Sequence, residues 1–171
     1  MKIYLSLLIT FVFGTSLLAQ RTYTAELSVA VDEVKSIIVN QSQLNVELVF
    51  DDYWTLVQGQ RIDQSNHIEV TSTNEYEIKV YATSDLIGST TTIPIDKVRV
   101  VPVPGEYGFG SNQVNYSSVQ LSTQEQAIVS SNHGDVLRSF SIAYEVSGLE
   151  SFEDLPSGVY STTITYSIVS K

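Results

Sequence analysis

Apolar and polar residues alternate one for one along most of this 171-residue chain. Successive side chains of a β-strand point to opposite faces, so a period of two gives one buried face and one wet face. An amphipathic helix would instead need apolar residues three and four positions apart. The alternation therefore predicts antiparallel strands. It is clearest near the C-terminus, where one face carries Tyr160, Thr162, Ile164, Tyr166 and Ile168.

The same alternation recurs in shorter runs, which turn residues such as those at 132–135 and 156–158 separate. Short strands at this spacing leave no room for crossover helices. We therefore predict an all-β chain, a single antiparallel β-sandwich of immunoglobulin-like type with about seven to nine strands. Residues 32–43 fit either a strand or one helical turn. The shorter runs cover residues 23–31, 44–50, 68–71, 75–80, 98–100 and 139–146, and prolines limit the strand at 98–100.

The first nineteen residues have the composition of a secretory signal peptide. Lys2 supplies a positive start, residues 3–18 are mostly apolar, and the small Ala19 stands at the expected cleavage point. A membrane span needs about 20 apolar residues, so an uncleaved anchor is the less favoured alternative. We expect residues 1–19 to be removed and residues 20–171 to form one exported domain that does not span the membrane. Its location would be the periplasm, the cell surface or the extracellular space.

Charge and cysteine content exclude several classes of function. The chain has 19 acidic against 9 basic residues, a formal charge of −10, and no cysteine. Binding to nucleic acid or to an anionic membrane needs clustered Lys and Arg, so neither is expected as the main partner. Disulfides, thiolate metal sites and a cysteine nucleophile are ruled out. An exported chain of this size without cysteine fits a bacterial envelope.

Few residues are arranged for catalysis. The two histidines, His67 and His133, lack metal-ligand spacing, and no nucleophile elbow, phosphate-binding loop or dinucleotide fingerprint is found. We therefore predict no enzyme, no catalytic residue, no metal and no cofactor. A Ser/His/Asp triad stays open, because its members can be far apart in sequence.

The acidic pair Asp51 and Asp52 stands beside two aromatic residues, Tyr53 and Trp54. Neighbouring residues of a strand point to opposite faces, so these carboxylates alone would not form a glycosidase pair. The favoured interpretation is a polar turn with Trp54 packed into the core. Calcium binding through Asp51 and Asp52 is an alternative.

A second aromatic pair, Tyr107 and Phe109, lies in the glycine-rich loop 104–112. Aromatic side chains on a loop can stack on sugars or enter a partner's pocket. They can equally fold back over the core, which is the favoured interpretation for this loop. The low-priority candidates for ligand binding are therefore Tyr107, Phe109, Tyr53 and Trp54.

Two stretches, 68–80 and 155–165, resemble segments of small exported bacterial sandwich domains. The first is similar to their hairpin of two alternating strands, and the second resembles the closing strand of spore-coat-protein-U-like, pilin-like and WxL-type domains. The chain departs from the first two groups in lacking a disulfide. Trp54-Thr55-Leu56 has the letters of the WxL signature, but it lies in the first half of the chain.

This resemblance implies a non-enzymatic structural or adhesive component of the cell surface or of an appendage, with a protein partner or a second copy as its ligand. In pilin-like assemblies an N-terminal extension completes a neighbour's sheet, and the run 23–31 could serve in that way. The simpler interpretation is that residues 23–31 form the first strand of the chain's own sandwich. The runner-up function is a carbohydrate-binding module that uses loop aromatics, and a small secreted hydrolase ranks third.

Overall fold

The computed structural model describes residues 26–108, 113–148 and 155–171. The chain divides into two compact units, 1–31 and 32–171. Of the first unit only residues 26–31 are described, and they form no strand. Every element below belongs to the second unit.

In the described part of the second unit, the regular secondary structure is almost entirely β-strand. One short helix, α1 (Tyr53–Gln58), and two 3-10 turns, Gln41–Gln43 and Ile95–Lys97, interrupt them. In the described ranges, no helix has the length and apolar character needed to cross a bilayer. The strands are β1 (Lys35–Val39), β2 (Gln60–Ser72), β3 (Tyr76–Ala82), β4 (Leu86–Ile87), β5 (Thr92–Ile93), β6 (Val98–Pro104), β7 (Val114–Tyr116), β8 (Val119–Gln120), β9 (Gln126–Ser131), β10 (Asp135–Val146) and β11 (Ile164–Ser170).

The strands form two main antiparallel sheets. Sheet A has the order β1-β2-β10-β6-β8, and sheet B has the order β11-β3-β9-β7. A two-stranded ribbon of β4 and β5 is separate from both. The long strand β10 pairs with β2 on one side and with β6 on the other. The predicted all-β class and antiparallel sandwich are therefore confirmed.

The core lies between the inner faces of the two sheets. Because alternate residues of each strand point inward, Ile68 and Val70 of β2 meet Ile78 and Val80 of β3 across one continuous cluster. The inward residues expected from the alternation in 139–146 are buried as predicted. These are Phe140, Ile142, Tyr144 and Val146.

Two predicted strands are wrong. Residues 45–51 carry no strand, although Val46, Leu48 and Phe50 are half-buried against the core and the residues between them are exposed. The period of two is present there, but residues 45–51 are not part of either main sheet. Residues 26–31 of the run 23–31 likewise form no strand, while residues 23–25 and the predicted signal peptide lie outside the described residues.

The open region 32–43 forms β1 followed by a 3-10 turn, so the strand alternative is the right one. The first half of β2 is a strand that the alternation did not predict, because its residues are almost all polar. Its outward side chains are stabilised across the sheet: Glu145 of β10 forms ion pairs with Arg61 of β2 and with Arg99 of β6. Arg61 and Arg99 are the residues directly opposite Glu145 in register.

A buried ion pair marks the irregular start of β10. Leu137 has a φ of +52°, and the register with β2 shifts between Asp135 and Arg138. This bulge brings Arg138 Nε to 2.8 Å from Asp135 Oδ1. The hydroxyl of Tyr76 donates a 2.7 Å hydrogen bond to the other carboxylate oxygen, which ties sheet B to sheet A. All three residues are buried.

We predict that Asp135→Asn destabilises the fold by about 3 kcal/mol, because it leaves the Arg138 cation buried beside an uncharged amide. Urea denaturation checks this value. The matched control is Asp63→Asn, which removes an exposed carboxylate paired with Arg61 and should cost less than about 1 kcal/mol. Equal losses in the two variants would contradict a structural role for the buried pair.

Candidate functional site

The acidic pair before α1 works as a helix cap. Asp52 accepts a 2.9 Å hydrogen bond from the backbone N–H of Thr55, and the hydroxyl of Thr55 faces back toward Asp52, which completes a capping box. Asp51 is exposed. The carboxylate of Asp52 therefore has a local structural partner. The interpretation of Trp54 as a core residue is wrong, because 65% of its surface is exposed.

Trp54 and its neighbour form an exposed aromatic pair. The rings of Tyr53 and Trp54 meet edge to face with centroids 5.4 Å apart. The helix that carries them is fixed at its far end by Gly59, which has a φ of +87°. A side chain there would come within 2.3 Å of the carbonyl oxygen of Val146, so only glycine fits. The pair thus lies at the C-terminal end of β10.

Tyr107 is the other exposed aromatic residue among the four candidates. Its ring is 63% exposed, while its backbone is tied to β10. Its N–H donates to the hydroxyl of Ser139 at 2.8 Å, and its carbonyl accepts from the N–H of Ser139 at 2.8 Å. Its ring therefore does not fold back over the core as the favoured interpretation had it. Phe109 lies outside the described residues.

The candidate residues do not form one site. Tyr107 is anchored at Ser139 and the Tyr53–Trp54 pair at Val146, seven residues further along the same strand. At a strand rise of about 3.3 Å per residue, the two anchor points are about 23 Å apart. A small ligand such as a single sugar ring therefore cannot reach from one anchor point to the other.

A chain of polar side chains crosses the core beside His67. His67 Nε2 lies 3.1 Å from the hydroxyl of Tyr144, and that hydroxyl lies 2.6 Å from the hydroxyl of Tyr166 in sheet B. On the other side, His67 Nδ1 lies 3.0 Å from Gln43 Oε1, while Gln43 Nε2 donates to the carbonyl of Ser65. We call Gln43, His67, Tyr144 and Tyr166 the polar chain.

The partners of the polar chain fix the direction of its hydrogen bonds. Because Gln43 Oε1 can only accept, His67 must donate from Nδ1 and accept at Nε2 from Tyr144, which in turn accepts from Tyr166. Burial lowers the pKa of His67 from 6.5 to about 4. Burial also raises the pKa of Tyr144 to about 12 and that of Tyr166 well above 10. Near neutral pH all three groups are therefore uncharged, and the chain joins the two sheets.

The second histidine lies near a serine and an aspartate, the residue types of a catalytic triad. Ser131 Oγ is 3.4 Å from His133 Nδ1, and Asp135 Oδ2 is 3.7 Å from that same nitrogen. A triad needs the base and the orienting carboxylate on different ring nitrogens. Ser131 is also fully buried, and its hydroxyl donates to the carbonyl of His133 at 2.9 Å. The three side chains therefore do not make a triad.

No group of three or more His, Asp or Glu side chains in residues 26–108, 113–148 and 155–171 could hold a metal ion. The calcium alternative at Asp51 and Asp52 gains no third His, Asp or Glu ligand from this part of the chain.

The edge of β11 is a feature that the sequence analysis did not single out. The N–H of Lys171 bonds to Glu75 and the carbonyl of Thr163 accepts from Thr83, so the odd-numbered residues of β11 face β3. The even-numbered residues, such as Tyr166 and Ile168, therefore direct their main-chain N–H and C=O groups away from β3. Along the described chain these groups have no main-chain partner. The strand contains no charged residue, proline or glycine. Natural edge strands usually carry a charge, a proline or a bulge that prevents pairing with other chains. The lack of these residues in 164–170 is the sequence feature that could have indicated an unprotected edge.

The other sheet edges are short or blunted. Strand β8 has two residues and β7 has three. β6 extends past the two residues of β8, and this part of its edge carries Pro102 and Pro104. The carbonyl of Val98 bonds to the β8 side, so every second residue after Val98 has its main-chain groups on that same side. Pro102 and Pro104 stand at such positions, and proline has no N–H to offer an added strand. β1 begins at Lys35, which forms an ion pair with Glu33. Among the described strands, β11 is thus the longest edge strand without a charged residue or proline, and Ser170 at its end bonds Glu33 and Lys35.

Residues 26–31 are exposed and alternate in character. Leu27, Val29 and Val31 are 89%, 79% and 78% exposed, with Glu26, Ser28 and Ala30 between them. Exposed apolar side chains at this spacing match one face of a strand. This segment therefore has the sequence of a strand but no partner strand among the described residues.

We predict that stability falls by about 2 kcal/mol between pH 7 and pH 5 through His67 alone. In the unfolded chain His67 regains its ordinary pKa of 6.5, so over this range the unfolded state takes up a proton that the folded state, with a pKa of about 4, does not. Urea denaturation at the two pH values measures the loss. His67→Gln should abolish it and His133→Gln should retain it. If the free energy of unfolding of His67→Gln fell as much between pH 7 and pH 5 as that of the wild type, His67 would not be the group responsible.

We also predict that Tyr144→Phe costs about 2–4 kcal/mol and Tyr166→Phe about 1 kcal/mol. The first change removes the donor to His67 Nε2 and the acceptor of Tyr166 together, whereas the second leaves the bond from Tyr144 to His67 in place. Chemical denaturation at pH 7 compares the two. The order of the losses would be reversed if Tyr166 were the residue that satisfies the buried imidazole.

Neither a family model nor a curated protein matches this chain. What the described residues offer for function is therefore a free strand edge, an exposed alternating segment and two separate aromatic surfaces.

Proposed function

We propose that this protein is a non-enzymatic, exported structural or adhesive component of a bacterial cell surface or appendage, and that copies of it associate by strand addition. In this association the segment 26–31 of one copy pairs with the free edge of β11 in the next. The single observation that carries the proposal is that free edge, which is the longest unprotected one in the described sheets.

The acceptor edge favours an extended peptide for two reasons. Its outward N–H and C=O groups would gain partners from an added strand, and main-chain hydrogen bonds supply affinity without any particular side chain. Its sequence also brings no charge that an incoming strand would have to desolvate. Strands with these properties pair readily with other chains.

The donor segment has matching properties. Leu27, Val29 and Val31 are exposed to water at almost their full surface. Burying one such side chain is worth about 1.5–3 kcal/mol, so removing three of them from water gives a substantial gain on pairing. Pairing would thus give the main-chain groups of the β11 edge hydrogen-bond partners and remove the apolar side chains of 26–31 from water.

Export is supported by the N-terminal sequence and by the lack of cysteine. Residues 1–19 have the pattern of a signal peptide, and a chain of about 150 residues can bury enough surface to fold without disulfides. The resemblance of 68–80 and 155–165 to exported bacterial sandwich domains points the same way.

A non-enzymatic role is supported by what the histidines do. His67 has 2% of its surface exposed and has partners at both ring nitrogens, so its imidazole is not placed to exchange a proton with a substrate. His133 contacts its neighbours through one nitrogen in an arrangement that does not activate Ser131.

We predict that the exported protein self-associates with rising concentration, as measured by sedimentation velocity. Val29→Pro should raise the concentration of half-association at least tenfold, because proline removes a ladder donor from the added strand. Thr165→Lys with Val169→Lys should have a similar effect, since these side chains neighbour the acceptor edge and lysine blunts strand pairing.

Two matched controls separate pairing from general damage. Val159→Pro changes another exposed valine, 84% exposed and outside any strand, and should leave association unchanged. Asn115→Lys with Ser117→Lys places the same two charges on and beside β7, at the opposite edge of sheet B, and should also be neutral. A wild-type protein that stays monomeric at every concentration would show that the segment pairs within its own chain or not at all. Equal behaviour of Val29→Pro and Val159→Pro would contradict the donor role.

A further inference from the structure

A groove of about 340 Å³ lies on sheet A beside the exposed ring of Tyr107. It runs between β1 and β2 on one side and the segment that follows β6 on the other. Its lining residues are Ile38, Asn40, Asn66, Glu69, Tyr107 and Ser139. We propose that this groove binds a neutral sugar ring, with Tyr107 as the stacking surface. This site is separate from the edge of β11 and does not depend on self-association.

The backbone of Tyr107 is held in place before any ligand arrives. Ser139 makes hydrogen bonds to both the N–H and the carbonyl of Tyr107, and the N–H of Glu106 donates to Asn66 Oδ1 at 2.8 Å. Since these contacts fix the backbone, binding would order little more than one side chain. An exposed aromatic ring on a fixed backbone gives contact area at low cost in conformational entropy.

The two asparagines of the groove present donors. Asn66 Oδ1 accepts from the backbone of Glu106, and Asn40 Oδ1 accepts from the N–H and the hydroxyl of Ser42 at 3.1 and 2.8 Å. A backbone N–H can only donate, so these bonds fix which end of each amide is the oxygen. The Nδ2 groups of Asn40 and Asn66 make no hydrogen bond within the described residues.

Glu69 supplies the matching acceptor. It lies on β2 between the inward-facing Ile68 and Val70, so its side chain is on the outer face of the sheet. It is half-buried, and its carboxylate forms no hydrogen bond or ion pair with the described part of the chain. Ile38 adds an apolar surface that is half exposed.

This set of groups matches the chemistry of a sugar. A pyranose offers hydroxyl groups that both donate and accept, and a face of C–H groups that packs on the electron-rich face of an aromatic ring. The lining contains no lysine or arginine, and it includes a carboxylate, so phosphate or carboxylate ligands are disfavoured. The volume is near the lower end for small-molecule sites, which suits one or two sugar rings.

The test uses the full chain and a panel of free sugars: glucose, galactose, mannose, N-acetylglucosamine, cellobiose, lactose and glucuronic acid. Saturation-transfer NMR and titration measure binding. We expect at least one neutral sugar to bind with a dissociation constant below about 10 mM and glucuronic acid to bind at least tenfold more weakly. Tyr107→Ala and Glu69→Gln should each weaken binding of the neutral sugar at least fivefold, whereas Tyr107→Phe should retain it.

The matched control is the double change Tyr53→Ala with Trp54→Ala, which removes two exposed aromatic rings that do not line the groove. It should leave sugar binding unchanged. The proposal is overturned if no neutral sugar binds, if glucuronic acid binds best, or if Tyr107→Ala binds as tightly as the wild type while circular dichroism shows both to be folded. It is also overturned if only the Tyr53 and Trp54 change removes binding, since that would place the sugar at α1.

Discussion

The pairing of β10 with strands on both of its sides is the constraint on which the rest of the structure depends. Twelve residues long, β10 joins β2 to β6 in sheet A and sends its inward residues into the core shared with sheet B. The start of β10 contains the buried Asp135–Arg138 ion pair, and Ser139 holds the backbone of Tyr107. Near its end, Tyr144 bonds His67 and Glu145 forms ion pairs with residues of the two neighbouring strands. In a chain without disulfides, the hydrogen bonds from Tyr76 to Asp135 and from Tyr166 to Tyr144 link the two sheets.

The period of two predicted the class of the fold and much of the core because burial on one face is a local property. It could not predict pairing, which depends on where the neighbouring strand lies. Val46, Leu48 and Phe50 have the correct alternation and are half-buried, yet they do not belong to a strand. The first half of β2 shows the opposite case. Its residues are almost all polar and still form a strand inside the sheet, where Arg61 forms an ion pair with Glu145, 84 positions away in the sequence.

The candidate site was predictable only in part. That Tyr107 and Trp54 are exposed follows from the hydrogen bonds of Ser139 and from the cap at Asp52, and neither was evident from residue type alone. The groove beside Tyr107 needs β1, β2 and β10 side by side, so it could not be inferred before the strand order was known. His67 is the clearest example. Polar residues 63–66 precede it and Ile68 follows it; Asn66 has a φ of +50°, and the imidazole is buried as part of the core.

The segment 26–31 and the edge of β11 are different parts of the chain, and this has a geometric consequence. A contact in which each protomer gives one surface and receives at another is heterologous, so every copy added leaves a fresh donor at one end and a fresh acceptor at the other. Such growth closes only if the rotation between neighbours brings the last copy back to the first; otherwise it continues head to tail as a filament. Two-fold dimers, by contrast, would exhaust both surfaces at once and end growth after a single step.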